Sequence, residues 1–151
     1  GWRIGLALAP GKIARAMAAL QSHTTTGANH PAQFAAAAAL GDERVEQDVA
    51  RMVAEFRKRR DVVVARFRQE VPGVEFVDPL GAFYFFFRVD SFGKITGTEF
   101  CTRLVTDNGV ALVPGAAFGD DRWVRLSYAA ATEDITRGLD RIVTFAKKLG
   151  D

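Results

Sequence analysis

Cysteine is almost absent from this chain. Cys101 stands alone among 151 residues, so no disulfide can form within it, and a reducing, cytoplasmic setting is expected. Histidine is nearly as scarce. His23 and His30 share one loop with no Cys, Asp or Glu at metal-ligand spacing, so they read as loop surface and no metal site is expected. No apolar run approaches the roughly 20 residues needed to cross a bilayer. Repeats, low-complexity tracts, a Walker loop and a Gly-x-Gly-x-x-Gly motif are all missing. The surplus of positive charge is slight, 20 Lys and Arg against 18 Asp and Glu, and gives no reason to expect a nucleic-acid or membrane partner. The densest basic run, Arg57-Lys58-Arg59-Arg60, lacks the aromatic interleaving of a base-stacking surface and reads as a solvated helix face. The opening residues have neither an initiator Met nor a signal-peptide layout, and read as an interior stretch of a longer protein.

What remains is globular: 48% hydrophobic and 25% charged residues, enough to build a buried core. Trp2 to Ala9 suits a short strand that stops at Pro10-Gly11. A helix over Lys12–Gln21 follows, with Ile13, Met17 and Leu20 on one face, then a polar loop from Ser22 to His30. Pro31 suits the first turn of an alanine-rich helix ending near Gly41. Asp42 can cap a long helix to about Glu70, with Val45, Val49, Met52, Phe56, Val63 and Phe67 as its apolar stripe.

After Pro72-Gly73 the period changes. Strands are expected at Val74–Val77 and Ala82–Val89, the second read as packed on both faces. Thr98 is expected to cap a helix from Glu99 to Asn108, closed by Gly109. Strands at Val110–Val113 and Trp123–Tyr128 flank a Pro-Gly-Ala-Ala-Phe-Gly loop, and Thr132 opens the last helix. The order β-β-α-β-β-α describes a small α+β layer. The first forty residues need a sheet that the chain does not supply.

Arg125 is the most informative side chain. Strand alternation places it with Trp123 and Ser127 on one face. A guanidinium in an apolar strand needs an anionic partner, and its planar fork fits a carboxylate. The plainer alternative is an edge-strand arginine whose head reaches solvent. Arg3, between Trp2 and Ile4, has the same two readings. Cys101 falls on the apolar side of its helix and reads as a small core residue.

In order along the chain, Gly1-Trp2-Arg3-Ile4-Gly5, Gly81-Ala82-Phe83-Tyr84, Val113-Pro114-Gly115 with Phe118-Gly119, and Val124-Arg125-Leu126-Ser127-Tyr128-Ala129 resemble segments of the class I aminotransferases, bacterial aspartate aminotransferase subgroup. The resemblance implies an α/β fold, that of the fold type I pyridoxal-phosphate-dependent transferases. Residues 1–41 would be the tail of the large domain, 42–71 an interdomain helix, and 72–151 the small α+β domain. It implies pyridoxal 5'-phosphate as cofactor, with Arg3 donating to its phosphate. Arg125 would grip the α-carboxylate of the substrate. Phe83 and Phe118 would close the small domain over the ligand, and the loop Thr24 to His30 would reach a neighbouring subunit's active site, with Asn29 near the substrate's distal end. Amino acid and 2-oxo acid substrates and a homodimer follow from the same likeness.

One departure matters. The family's cofactor-binding lysine lies upstream of its Gly-Trp-Arg segment, which here would fall before Gly1. Lys12 follows Arg3 and cannot take that place. The chain alone is therefore expected to be inactive. An alternative is the aminotransferase-like effector domain of a bacterial transcription regulator, and a third is a stand-alone α+β interaction module.

Overall fold

The computed structural model describes residues 2–150. They fall into two compact units, Gly1–Arg51 and Met52–Asp151, each taken by itself below.

The first unit holds helices α1 (Gly11–Thr24) and α2 (His30–Leu40) and the start of α3 (Glu43–Glu70). Asn29 caps α2: its side-chain oxygen accepts the Ala32 N–H at 3.0 Å, and Pro31 occupies the first turn. Asp42 caps α3, accepting the Arg44 N–H at 2.9 Å. The strand expected at Trp2–Ala9 does not form; residues 2–10 are irregular, and Leu6 and Leu8 lie exposed. The physical reason is simple. A strand exists through its ladder, and among the described residues of this unit only helices are present.

In the second unit, β1 (Phe76–Val77), β2 (Tyr84–Arg88), β3 (Val113–Pro114) and β4 (Trp123–Ser127) form an antiparallel sheet of order β1-β2-β4-β3. Helices α4 (Gly97–Asn108) and α5 (Thr132–Gly150) complete the expected β-β-α-β-β-α order. β1 and β3 are shorter than the sequence pattern suggested.

One face of the sheet carries the core. Phe85 and Phe87 of β2 and Val124 and Leu126 of β4 are buried with Val63 and Phe67 from the second half of α3. The amphipathic α5 adds Ile135, Leu139, Ile142 and Phe145, and its first turn carries Glu133 and Asp134. Phe100 of α4 meets Phe145 edge-on at 5.1 Å. The two-faced burial expected of the aromatic strand is thus corrected. Alternation sends Phe85 and Phe87 inward, while Tyr84, Phe86 and Arg88 stay half-covered on the other face.

The cap of α4 is also corrected. Thr96, not Thr98, accepts the Glu99 N–H at 3.1 Å. The Thr98 hydroxyl is engaged elsewhere, by the Asp121 carboxylate at 2.8 Å. Gly109 ends the helix at φ 64°, where a Cβ would be strained.

Cys101 is buried, as its helix face suggested, and burial pushes its thiol up to about 11, with Asp121 adding a smaller push. At pH 8 only about one molecule in a thousand would carry the thiolate. Iodoacetamide is expected to leave native Cys101 unlabelled over minutes at pH 8 and to modify it once urea unfolds the chain. Rapid labelling of the native protein would contradict the burial.

Candidate functional site

The half-covered face of the sheet, opposite the core, is where two of the expected site residues of the second unit, Arg125 and Phe118, meet. β4 lies between β2 and β3, so Arg125 is on an interior strand and the edge-strand alternative fails. It pairs in register with Phe86 on one side and Val113 on the other. Its guanidinium carbon lies 4.2 Å from the centre of the Tyr84 ring and 4.7 Å from that of Phe118. Below them Phe86 stacks on Trp123 at 5.1 Å and meets Phe118 edge-on at 5.9 Å.

The electrostatics single Arg125 out. Arg66 is matched by Glu70 and Asp140, Arg88 by Glu75 and Asp90, and Arg122 by Asp120. Arg125 is half-buried and meets no carboxylate among the described residues, and its Nε–H is buried without a hydrogen-bond partner. A buried donor left unpaired costs about 1–3 kcal/mol, more when charged. Such an arrangement is stable once an anion arrives in the plane of the fork.

The loops on either side are fixed by identifiable contacts. Phe118 ends a short 3-10 turn, Gly115–Phe118. Gly115 opens it where any Cβ would collide with the carbonyl oxygens of Asp120 and Trp123. Beyond the turn, the Arg122 side chain and then its N–H hold the Asp120 carboxyl well below the usual range, so this brace is intact at neutral pH and is lost only in strong acid. Gly115→Ala is expected to destabilise the protein by about 1–3 kcal/mol, because the collision is with backbone that cannot swing aside. A urea midpoint unchanged from wild type would contradict that packing.

On the other side, Ala82 takes φ 58°, a left-handed conformation unusual for a residue with a Cβ. The Tyr128 hydroxyl donates to its carbonyl at 3.2 Å, and the Tyr128 N–H donates to the Phe83 carbonyl at 3.0 Å. Burial pushes the Tyr128 phenol up, keeping it the neutral donor. Phe83 is thereby held beside Tyr84, ring centres 4.6 Å apart, and its other neighbour is Phe56 at 5.7 Å. It also lines an apolar groove of about 530 Å³ with Met52, Phe56 and Leu80.

Arg125 and Phe118 therefore come together, while Phe83 packs on Phe56 and Tyr84 and reaches Arg125 only through the Tyr84 ring between them. Arg3 and Asn29 belong to the other unit. Arg3 is exposed and adopts φ 58°, left-handed like Thr26 and Ala82. Asn29 spends its oxygen on the α2 cap, which leaves its amide N–H groups for any ligand. Tyr84 was not singled out from the sequence. Its signal was there, since it shares the alternation of Phe86 and faces the Arg125 side of β4, but only the strand register reveals it. Among the described residues there is no cluster that could hold a metal ion, and no helix is long and apolar enough to cross a membrane.

Comparison with known proteins extends this picture. A sequence profile for the family described as aminotransferase class I and II matches residues 1–142. The aspartate aminotransferase of Thermotoga maritima is 44% identical over 145 residues, covering 96% of this chain and 36% of that protein. The bifunctional aspartate aminotransferase and glutamate/aspartate-prephenate aminotransferase of Petunia hybrida is 42% identical, covering 94% and 32% respectively. Among solved structures, an aromatic aminotransferase from Pyrococcus horikoshii superposes with TM-score 0.85 at 36% identity, over 97% of this chain and 39% of that one. The Thermotoga maritima enzyme superposes with TM-score 0.80 at 42% identity, over 95% and 36%. The chain spans about a third of the length of these relatives.

Proposed function

Because the chain belongs to the class I and II aminotransferase family and has the α/β fold of its fold type I pyridoxal-phosphate-dependent members, we propose that it is the carboxy-terminal part of such an enzyme. In this reading residues 1–41 end the large domain, 42–71 form the interdomain helix, and 72–151 are the small domain. The full-length protein moves an amino group between an amino acid and a 2-oxo acid, of the aspartate and 2-oxoglutarate type, as a cytoplasmic homodimer.

The observation that carries this reading is the half-buried guanidinium of Arg125, which meets no carboxylate among the described residues and whose Nε–H has no partner. It receives the α-carboxylate through two parallel N–H bonds, which fixes the orientation of the substrate's Cα. Phe83 and Phe118 cover the ligand and exclude water, which strengthens the ion pair beneath them. In the homodimer reading, the loop carrying Asn29 serves the neighbouring subunit's site, near the distal end of the substrate bound there.

Pyridoxal 5'-phosphate suits the donors present, since Arg3 is an exposed guanidinium in a sequence context rich in small residues and matches a dianionic phosphate. When bound, the cofactor supplies the electron sink that lets a bond at Cα break. The lysine that links to it is not among residues 1–151 at the matching place, so residues 1–151 alone bind carboxylate without performing transfer.

The test is amino transfer from aspartate to 2-oxoglutarate with added cofactor. Turnover by the full-length protein and none by residues 1–151 is expected. Turnover by residues 1–151 would overturn the division of labour. A folded full-length protein that binds the cofactor and transfers no amino group would favour the regulator alternative.

A further inference from the structure

A lone cation in a half-buried site poses a problem that the geometry solves in a particular way. Had a carboxylate of the chain neutralised Arg125, it would have occupied the donors that a ligand needs. Instead two aromatic rings flank the guanidinium, Tyr84 at 4.2 Å and Phe118 at 4.7 Å. A ring face attracts a cation through its quadrupole but offers no lone pair for the in-plane N–H groups. The cation is thus stabilised while its hydrogen-bonding fork stays unspent, as the unpartnered Nε–H records.

We propose that Tyr84 and Phe118 are positioning residues for carboxylate recognition, gripping Arg125 so that its fork is presented before any ligand arrives. The proposal rests on the reading that Arg125 binds the substrate carboxylate. Each ring is anchored independently. Tyr84 lies on β2, paired in register with Ser127, and Phe118 ends the turn that Gly115 and the Asp120–Arg122 pair hold in place. A guanidinium held this way loses less freedom on binding than one on a flexible stem in water.

The experiment is a double-mutant cycle in the full-length protein, reading kcat/KM for 2-oxoglutarate at saturating cofactor. Tyr84→Leu and Phe118→Leu are each expected to lower kcat/KM about three- to thirtyfold. Tyr84→Phe, which keeps the ring face, is expected to stay within about twofold of wild type. In an Arg125→Ala background Tyr84→Leu is expected to cost nothing further, and Phe118→Leu to cost less than it does beside Arg125, keeping only its share as a cover over the ligand. Phe118 is half-exposed, so Phe118→Leu carries the test should Tyr84→Leu fail to fold. Equal losses in both backgrounds would reduce the rings to general packing and overturn the proposal. So would wild-type rates for both leucine variants alongside a crippled Arg125→Ala. An Arg125→Ala protein with unchanged kcat/KM would instead remove the underlying site reading.

Discussion

Arg125→Ala in the full-length protein is expected to weaken carboxylate substrates by about 2–5 kcal/mol, or roughly thirty- to several-thousandfold, with little change in stability. Both halves of that expectation come from the same observation. Arg125 makes no ion pair among the described residues, so its removal breaks none there. The aromatic packing lost from Tyr84 and Phe118 is offset by the disappearance of a buried, unpaired donor. Stability within about 1 kcal/mol of wild type together with a large loss of substrate binding would mark a residue kept for function rather than for folding. Arg125→Lys is expected to recover little, since a point charge cannot reproduce the two-pronged bond.

Phe87→Ala should do the reverse, costing about 3–5 kcal/mol of stability through the cavity it leaves. Phe87 is fully buried on the core face, with ring centres of Phe67 at 4.7 Å, Phe85 at 5.8 Å and Phe100 at 6.2 Å. It joins α3 and α4 to the sheet, so these elements cannot collapse into the space without breaking other contacts. Against a typical total of about 5–15 kcal/mol, that loss leaves a marginal protein. Urea unfolding reads it directly as a lower midpoint with the slope retained. A loss under about 1 kcal/mol would mean that the core tolerates the cavity and is packed more loosely than described.

The second unit was largely legible because its signals are local. The aromatic run located β2, alternation set the faces of β4, Thr132 with its acidic first turn marked the start of α5, and Gly109 marked the end of α4. Arg125 stood out by chemistry alone, as a cation in an apolar strand. Distant contacts were hidden. Thr96 and Thr98 are equally good caps in sequence, and Asp121, far along the chain, decides between them by taking the Thr98 hydroxyl. Tyr84 beside Arg125 depends on the register of two strands with α4, β3 and two 3-10 turns between them in the chain. The strand expected near Arg3 failed for want of a partner strand, which no local pattern can supply.

The most direct test of the central claim compares aspartate with its α-amide, whose carboxylate is replaced by a neutral group, as substrates of wild-type and Arg125→Ala full-length protein. If Arg125 grips the α-carboxylate, the wild type should strongly prefer aspartate. The substitution should then cut kcat/KM for aspartate by the large factor above while leaving the α-amide almost unaffected. An equal loss for both substrates would contradict the assignment, because a residue that senses the carboxylate cannot be indifferent to its removal.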